Sequence, residues 1–505
     1  MNKQNSRNTT YIISVIITTA LVLWAVVSGS TFEAAANAAF SFLGGNFSWF
    51  YMLAMTSFVV FAIWIGFFSK FKNIRLGPDD SRPEYSNVSW FGMLFSAGMG
   101  IGLVFWGVAE PMNFWVAPPD AVSGSAEAAS FAFQKAFLHW GLHPWAGYCV
   151  LGLGMAYFQF RKGKPGLVSS VFTPLLGEKG VNGPVGKLID ILAIFATAGG
   201  IATSLGLGAM QINSGLNKVF GVPENKVAVF VIVAVITVIY IWTAVAGVDK
   251  GIKKVCDMNV VVAGLLMLAC LAIGPTVDIL CNLVEGTGNY VQSLPSSAMA
   301  VGAFSENPSW YSAWTVFYWA WWIAWAPFSG LFIARISKGR TIKEFVAGVL
   351  LLPAGASFVW FAIFGTMGIN VGEKVGVEAA AEIASNTSTA LFSVLEHYPL
   401  TTILSVIVVV LLCTFFITSA NSATYVLGML SSEGDLNPSN SRKFIWGVLQ
   451  AALALVLMLC TAEGRGLNML QTMSIVSAFP FAFILIFTMV SIVKVMSQDP
   501  AVRKN

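Results

Sequence analysis

Charged residues are scarce in this sequence, and that scarcity excludes an ordinary soluble domain. Only 10% of the 505 residues are charged, whereas 56% are hydrophobic; soluble domains carry about 25% charged residues. The apolar stretches contain no H-E-x-x-H or G-x-S-x-G motif and no carboxylate dyad, which argues against a membrane-embedded enzyme. The six cysteines are scattered and form no C-x-x-C pair, so we interpret them as buried apolar side chains.

Long apolar stretches dominate instead, and they predict an all-α integral membrane protein. Repeated runs of about 20 residues are long enough to cross a hydrocarbon core of about 30 Å as helix. The alternation of apolar and polar residues that a membrane barrel requires is missing. The twelve predicted transmembrane helices lie at residues 11–30, 48–69, 88–115, 137–160, 188–216, 227–246, 258–281, 312–334, 345–368, 399–430, 444–462 and 467–493.

The 28 Lys and Arg residues are distributed unevenly among the loops. Cytoplasmic loops of membrane proteins carry an excess of both residue types. With the N-terminus inside, nearly all of them fall in inner segments, and the exceptions are Lys135, Lys218, Lys226, Lys374 and Arg465. The bias predicts a multi-pass protein with an even number of spans and both termini in the cytoplasm.

The third predicted span contains a glycine-rich stretch at residues 96–102. Glycines at alternate positions weaken a helix, each by about 1 kcal/mol relative to alanine. Backbone groups freed at membrane depth need protein or water partners, and interrupted helices are where secondary transporters bind substrates and ions. One interpretation is a broken helix whose free N–H groups bind a carboxylate. The alternative is close helix packing through small residues.

Two aromatic clusters stand out among the 17 tryptophans, at residues 139–148 and 314–328. Residues three or four positions apart share a helical face. The pairs that meet this rule are Trp145 with Tyr148, Trp321 with Trp325, and Trp322 with Trp325. Ring faces attract a quaternary ammonium group, which has no N–H to donate, by roughly 0.5–2 kcal/mol per contact. The clusters indicate either a site for such a cation or a packed aromatic core.

Polar side chains inside the predicted spans are few. The hydroxyls at residues 414–422 and 197–204 either coordinate an alkali cation or hydrogen bond to neighbouring helices. Glu110 is the deepest carboxylate, and an intramembrane ionisable group is by default a functional hypothesis; alternatively it braces a helix end near the outer surface. His139 and His143 form either a proton relay or structural contacts.

Taken together, these segments resemble the betaine/choline/carnitine transporter family. The similar stretches occur in the family's order and cover essentially the whole chain, and the tryptophan-rich eighth span is highly specific to this family. They are residues 98–102, 139–148, 203–208, 314–330, 334–340 and 415–422. The resemblance implies a secondary active transporter rather than an enzyme, with a sodium ion as co-transported ligand and no cofactor.

The resemblance also implies a LeuT-type fold, in which two inverted five-helix repeats, spans 3–7 and 8–12, follow two extra N-terminal helices. The expected units are residues 1–87 (tail and peripheral helices), 88–281 (first repeat), 282–311 (outer connecting segment), 312–496 (second repeat) and 497–505 (cytoplasmic tail). Within the connecting segment, residues 284–299 are either a helix on the outer surface or an ordinary loop.

By the same resemblance, the substrate ammonium group is expected among aromatic side chains of the fourth and eighth spans. The expected box residues are Trp140, Trp145, Tyr148 and Trp322, and those expected along the inward pathway are Trp321 and Trp325. The substrate carboxylate is expected at the backbone of Gly100, Ile101 and Gly102. Proton-coupled choline carriers have an aspartate where this chain has Gly102, so the resemblance favours a zwitterion, most of all glycine betaine.

Sodium coupling is implied residue by residue. The positions that match the family's sodium ligands are Ser96, Met99, Phe415, Thr418 and Ser419. A second sodium site matches Thr197 and Phe328. There, Ile201 stands where the family has a threonine, and Thr203 is the candidate substitute.

Three alternatives stay open. One is a sodium-independent carnitine exchanger. Such exchangers replace sodium with a methionine and an arginine, at the positions where this chain has Ser329 and Asn259, so this chain lacks both replacements. A choline carrier and an ion channel are the others. The expected partners are a betaine-type solute, the lipid bilayer of a bacterial inner membrane and two further copies of the chain in a homotrimer, without nucleic acid. The short tails argue against strong osmotic regulation.

Overall fold

The computed structural model describes residues 3–98, 100–247, 249–460 and 465–503, with only the backbone of residues 3–7, 95–98, 249–252 and 503. These ranges are predominantly helical. The helices are α1 Lys3–Val27, α2 Gly29–Ile63, α3 Asn87–Gly98, α4 Ile101–Val116, α5 Ala126–Trp140, α6 Leu142–Ala156, α7 Thr173–Val181, α8 Pro184–Phe220, α9 Lys226–Ala246, α10 Asp249–Ile273, α11 Thr276–Ala298, α12 Pro308–Tyr311, α13 Phe317–Ile336, α14 Ile342–Val375, α15 Val377–Ser385, α16 Ala390–Leu395, α17 Thr401–Leu430, α18 Asn440–Leu459, α19 Gly466–Met496 and α20 Pro500–Arg503.

Local sequence signals account for several helix ends. The Thr341 side chain accepts the Glu344 N–H at 3.2 Å, and the Glu344 carboxylate accepts the Thr341 N–H at 2.8 Å. This capping box starts α14. Helices α8 and α9 end at Gly221 and Gly247, whose φ angles of 71° and 67° are left-handed. Glycine adopts that conformation without Cβ strain.

Ten helices in the described ranges are long and apolar enough to cross a membrane. They match ten of the twelve predicted spans. The two others, predicted at 88–115 and 137–160, are each built from two shorter helices, α3 with α4 and α5 with α6. The second span is longer than predicted, because its helix runs from Gly29 to Phe68 and ends in a π-helical turn. The total of twelve spans stays a prediction.

The third and fourth spans are interrupted. The first interruption falls in the glycine stretch, where α3 ends at Gly98 and Gly100 is extended, with φ −165° and ψ −171°. The second lies at Gly141, inside a stretch predicted as one span. A Cβ on Gly141 would lie 2.4 Å from the Phe137 carbonyl oxygen, so no larger residue fits. Pro144, in the first turn of α6, is the sequence signal for this second break.

The seventh predicted span is wrong in extent. It was placed at 258–281, but α10 ends at Ile273 and α11 begins at Thr276. Pro275 explains the division, because the residue before a proline is disfavoured in helical geometry. Of the two interpretations of residues 284–299, the loop is wrong and the helix is confirmed, since α11 continues to Ala298. Its place on the outer surface stays a prediction.

Helices of the two predicted five-span halves pack in matching pairs. Helix α13 of span 8 packs against α6 of span 4, and α14 of span 9 packs against α4 of span 3. The packing of α17 (span 10) on α10 (span 7) likewise corresponds to that of α8 (span 5) on α19 (span 12). The packing of α17 on α9 (span 6) corresponds to that of α8 on α18 (span 11). Exchanging every span with the one five positions along the chain therefore converts each pair into its counterpart.

Polar contacts tie both ends of the chain to loops of the bundle. Asp499, after α19, accepts hydrogen bonds from the Tyr157 hydroxyl at 2.5 Å and from Arg161 at 2.6 and 2.7 Å. Arg442 donates to Asn8 near the other terminus at 2.8 Å. These contacts join segments that the charge pattern assigns to one side of the membrane. Which side that is stays a prediction.

We expect Asp499→Asn to destabilise the protein by about 2 kcal/mol, because it removes the buried carboxylate of Arg161 and leaves this mostly buried cation paired only with the exposed Asp79. Burial alone would raise the pKa of Asp499, but hydrogen bonds from Arg161 and Tyr157 hold it well below its ordinary value. The stabilisation is therefore complete above the ordinary aspartate pKa of about 4 and is lost only as pH falls below it. Thermal unfolding of wild type and variant in detergent at pH 7 and at pH 3 measures the effect, and the difference between them is expected to shrink at the lower pH.

The control is Glu178→Gln, which removes an exposed ion pair with Lys164. Exposed pairs contribute about 1 kcal/mol or less. Equal losses in the two variants would contradict the assignment of Asp499 as a buried anchor of the C-terminal segment.

Candidate functional site

The aromatic clusters of the fourth and eighth spans meet beside the interruption of the third. Helix α13 packs along α6 and also contacts α8. A Cβ on Gly102, in the first turn of α4, would lie 2.9 Å from the Cη2 atoms of both Trp140 and Trp321. The ends of both rings therefore lie directly against the backbone of the interrupted helix.

The four predicted box residues form one continuous row of edge-to-face contacts. The ring centroids of Trp140 and Trp322 are 4.8 Å apart, those of Trp322 and Tyr148 are 6.4 Å apart, and those of Tyr148 and Trp145 are 5.4 Å apart. All four side chains are buried. The structure thus brings together residues that the sequence placed on two separate helices.

The box is closed, because its rings contact one another. A cavity of about 460 Å³ lies elsewhere, between α5, α11 and α14, and no predicted site residue lines it. Its position does not argue against the aromatic row, since a site filled by its own rings leaves little empty volume. A ligand would enter the row only after the rings separate.

Trp321 lies against Trp322, and Trp325 lies against α8. The Trp321 ring stacks on Trp322 at 4.8 Å and 15°. The Trp325 Nε1 donates to the Gly200 carbonyl of α8 at 2.8 Å, and its ring meets Phe328 edge-on at 5.1 Å. Trp325 and Phe328 are only partly buried. Their place on an inward pathway stays a prediction.

A fully buried carboxylate lies behind the row. Oε2 of Glu110 accepts hydrogen bonds from Trp140 Nε1 at 2.8 Å and from the Tyr318 hydroxyl at 2.6 Å, and Oε1 lies 2.7 Å from His139 Nδ1. His139 Nε2 lies 3.0 Å from the Thr315 hydroxyl. Glu110 therefore connects α4, α5 and α13 at the aromatic row, beyond the role of bracing a helix end.

Two aromatic neighbours of the row are absent from the predicted site. Tyr318 and Phe361 contact Trp140 with centroid distances of 5.7 and 5.4 Å. Tyr318 lies four residues before Trp322, so helical spacing carries the signal for it. Phe361 belongs to α14, and no local pattern marks which residue of that helix faces Trp140.

The first set of predicted sodium ligands is only partly described. Met99 lies outside the described residues, and so does the side chain of Ser96. Phe415, Thr418 and Ser419 lie on α17, where the Thr418 hydroxyl donates to the Phe415 carbonyl at 3.2 Å. Helix α10 packs against both α3 and α17. The helices that carry the predicted ligands, α3 and α17, therefore both pack against α10.

The second predicted sodium site receives less support. The Thr197 hydroxyl donates within its own helix at 2.8 Å. Thr203 hydrogen bonds to the Leu470 carbonyl of α19 at 2.8 Å, and six residues of helix turn it away from the face of Thr197. This geometry gives no support to Thr203 as the substitute for the threonine missing at Ile201, and the second sodium site stays a prediction.

Two buried polar side chains near these elements have no hydrogen-bond partner within the described ranges. Neither ring nitrogen of His143 and neither amide atom of Asn259 is paired. Asn259 lies on α10, three residues after Cys256, whose thiol lies close to the Thr418 hydroxyl. Since an unpaired buried polar group costs about 1–3 kcal/mol, both side chains are candidates for contacting water or an ion.

A family model described as betaine/carnitine/choline family transporter matches residues 9–501, nearly the whole chain. This chain belongs to that family. Its members are transporters, so the expectation of a transporter rather than an enzyme is confirmed. Membership also identifies the long apolar helices as those of a multi-pass membrane protein.

Individual family members are similar over almost their full length. The glycine betaine transporter OpuD of Bacillus subtilis is 45% identical over 489 residues, which are 96% of this chain and 94% of that protein. A probable glycine betaine transporter of Desulfitobacterium hafniense is 43% identical, covering 99% of each. The ectoine/hydroxyectoine transporter of Virgibacillus pantothenticus is 41% identical, covering 99% and 98%.

For this transporter, we expect Gly102→Ala to disturb the aromatic row. The added methyl group would lie 2.9 Å from Trp140 and Trp321, closer than real Cβ contacts, so the rings must shift. The control is Gly100→Ala, since a Cβ at Gly100 meets nothing within 4 Å and its backbone is extended. Near-ultraviolet circular dichroism and thermal unfolding of the purified variants compare them. Equal changes would contradict the described contact.

Proposed function

We propose that this chain imports a quaternary-ammonium zwitterion, glycine betaine first of all, together with sodium by alternating access. The observation that carries the proposal is the buried row of Trp140, Trp322, Tyr148 and Trp145 beside the interrupted third span. Ring faces suit a trimethylammonium group, which offers methyl groups and positive charge but no hydrogen-bond donor. Two similar proteins are named as glycine betaine transporters.

The interrupted backbone supports a substrate that carries its own carboxylate. Helix α4 begins at Ile101, so the first N–H groups of the helix have no partner in its own backbone. A helix N-terminus attracts an anion through these groups and its dipole. Gly102 lies against Trp140 and Trp321, so a carboxylate at Gly100–Gly102 is near enough for one small zwitterion to reach both regions.

Sodium coupling is supported by the polar groups of α10 and α17. Carbonyl and hydroxyl oxygens are the donors that hard cations prefer. Phe415 and Thr418 supply them on α17, and the unpaired amide oxygen of Asn259 lies one helical turn from the Cys256–Thr418 contact. A cation there would satisfy that oxygen. The first sodium site is therefore retained in the proposal, and the second is not.

Alternating access is supported by the packing pattern. Each helix pair between spans 3–7 and spans 8–12 described above has a counterpart when the two sets of spans are swapped. A repeated structural unit would produce such a pattern. Because each unit has an odd number of spans, the second would cross the membrane in the opposite direction. Inverted repeats of this kind allow one part to rock against the other around a central site. A LeuT-type fold, an inner-membrane location and a homotrimer remain parts of the proposal.

We expect uptake of glycine betaine into proteoliposomes to require an inward sodium gradient, since the ion is proposed to complete the substrate-competent state. Radiolabelled uptake with sodium, with potassium and without a gradient measures this. Equal uptake without sodium would sink the coupling, and counterflow in sodium-free buffer would identify the exchanger instead. Choline and ectoine serve as competitors, because one similar protein is named for ectoine.

We expect Trp322→Ala to weaken betaine binding about tenfold or more, because it removes a ring from the centre of the row and opens a cavity. The control is Trp24→Ala. Trp24 is 43% exposed and contacts Phe32 and Thr31, far from the row in the chain. Calorimetric titration of the purified variants measures binding. Similar losses in both would remove the aromatic row from the substrate site.

A further inference from the structure

Glu110 is the carboxylate that lies behind the aromatic row. The proposed binding mode gives it no role. It is fully buried, in a chain where ionisable groups at membrane depth are few. A buried carboxylate is costly unless hydrogen bonds stabilise it, and it is retained at functional positions. Its two oxygens have three partners at 2.6–2.8 Å, from three side chains of the row and its surroundings.

The geometry accommodates an ionised carboxylate with a full set of hydrogen-bond donors. Trp140 Nε1 can only donate, and it points at Oε2. The Tyr318 hydroxyl shares the same oxygen. A neutral His139 donating from Nδ1 completes the set, because its Nε2 then accepts from the Thr315 hydroxyl. With Glu110 ionised, this tautomer satisfies every group, and the carboxylate accepts three hydrogen bonds, an arrangement that stabilises its charged form.

The partners of Glu110 are also walls of the row. Trp140 meets Trp322 edge-on at 4.8 Å, and Tyr318 lies against Trp322 at 6.1 Å with a 28° interplanar angle. The carboxylate therefore lies one ring away from the space that the proposed ammonium group would occupy. The attraction between the Glu110 carboxylate and an ammonium group one ring away is stronger in a water-poor interior than in water, because the effective dielectric constant is lower.

We propose that Glu110 is the buried counter-charge of the substrate's ammonium group, acting through Trp140 and Tyr318 rather than by direct contact. The proposal rests on the proposed betaine function. Glu110 has two effects: its hydrogen bonds fix the planes of both rings, and its negative charge favours a cationic centre over an uncharged group of the same shape. Glu110 is thus a positioning and specificity-determining residue.

The test compares two ligands of the same shape. Glycine betaine has a quaternary nitrogen, and 3,3-dimethylbutyrate has a carbon atom in its place, so the second keeps the carboxylate and the three methyl groups but lacks the positive charge. Calorimetric titration gives the Kd of each ligand for wild type and for Glu110→Gln, which removes the charge and nearly preserves the shape.

We expect Glu110→Gln to weaken betaine binding about tenfold and to leave 3,3-dimethylbutyrate binding unchanged or tighter, because a negative charge that repelled this anion is gone. The Kd of 3,3-dimethylbutyrate divided by that of betaine, which expresses the preference for betaine, then falls by at least about tenfold. Equal weakening of both ligands would assign Glu110 a purely structural role and overturn the proposal. Unchanged Kd values for both ligands would mean that the acid is uncharged and would overturn it as well.

The matched control is Glu33→Gln, since Glu33 is also a buried glutamate but is bound to Arg465, outside the row. We expect the ratio of the two Kd values for Glu33→Gln to equal that of wild type. If the wild-type protein binds no betaine, the proposed function fails before the inference is reached, so the two failures are distinguishable.

A second pair of variants covers the case in which Glu110→Gln does not fold. Tyr318→Phe and His139→Asn each change one donor but retain the carboxylate, and asparagine reproduces the donor at Nδ1. We expect both to keep the betaine preference within about threefold of wild type. If either variant lost the preference for betaine over 3,3-dimethylbutyrate while Glu110 was still present, the proposal that Glu110 is the counter-charge would be overturned.

Discussion

In the hydrocarbon core of a membrane, a backbone group that leaves a helix must find another partner within the protein. This constraint organises the centre of the molecule. At the Gly141 interruption, the His139 carbonyl accepts a hydrogen bond from Trp322 Nε1 at 2.8 Å, and the Leu142 N–H donates to the Tyr290 hydroxyl at 3.3 Å. Aromatic side chains that carry a polar atom therefore satisfy the broken backbone, and in doing so they fix the position of their rings.

The aromatic row follows from that arrangement. Once Trp322 is fixed on His139, its ring meets Trp140 on one side and Tyr148 on the other, and the preference of rings for edge-to-face contact sets their angles. Close helix approach makes this possible: a Cβ on Gly152 would lie 3.2 Å from the carbonyl oxygen of Gly330. Glycine at such contacts lets α6 and α13 carry large rings next to one another.

Part of the site could be predicted because it depends on helical spacing alone. The pairing of Trp145 with Tyr148 needs only two residues on one helix, and the glycine stretch at 96–102 contains its own reason for breaking a helix. The contact of Phe361 with Trp140 is different in kind, since it joins residues far apart in sequence. The Gly141 break is intermediate, because the requirement for glycine there comes from a local atom, the Phe137 carbonyl oxygen, whereas the partners of the freed backbone groups lie on other helices.

The sequence by itself determined that this chain is a membrane protein of ten or more spans, the family it belongs to and the residue types of its aromatic row, because hydropathy and local spacing are encoded in short stretches. Only the tertiary structure decided what Glu110 does. Its three partners come from two other helices. A hydrogen bond to a buried carboxylate depends on distances of about 3 Å between elements, and no pattern along one helix contains them.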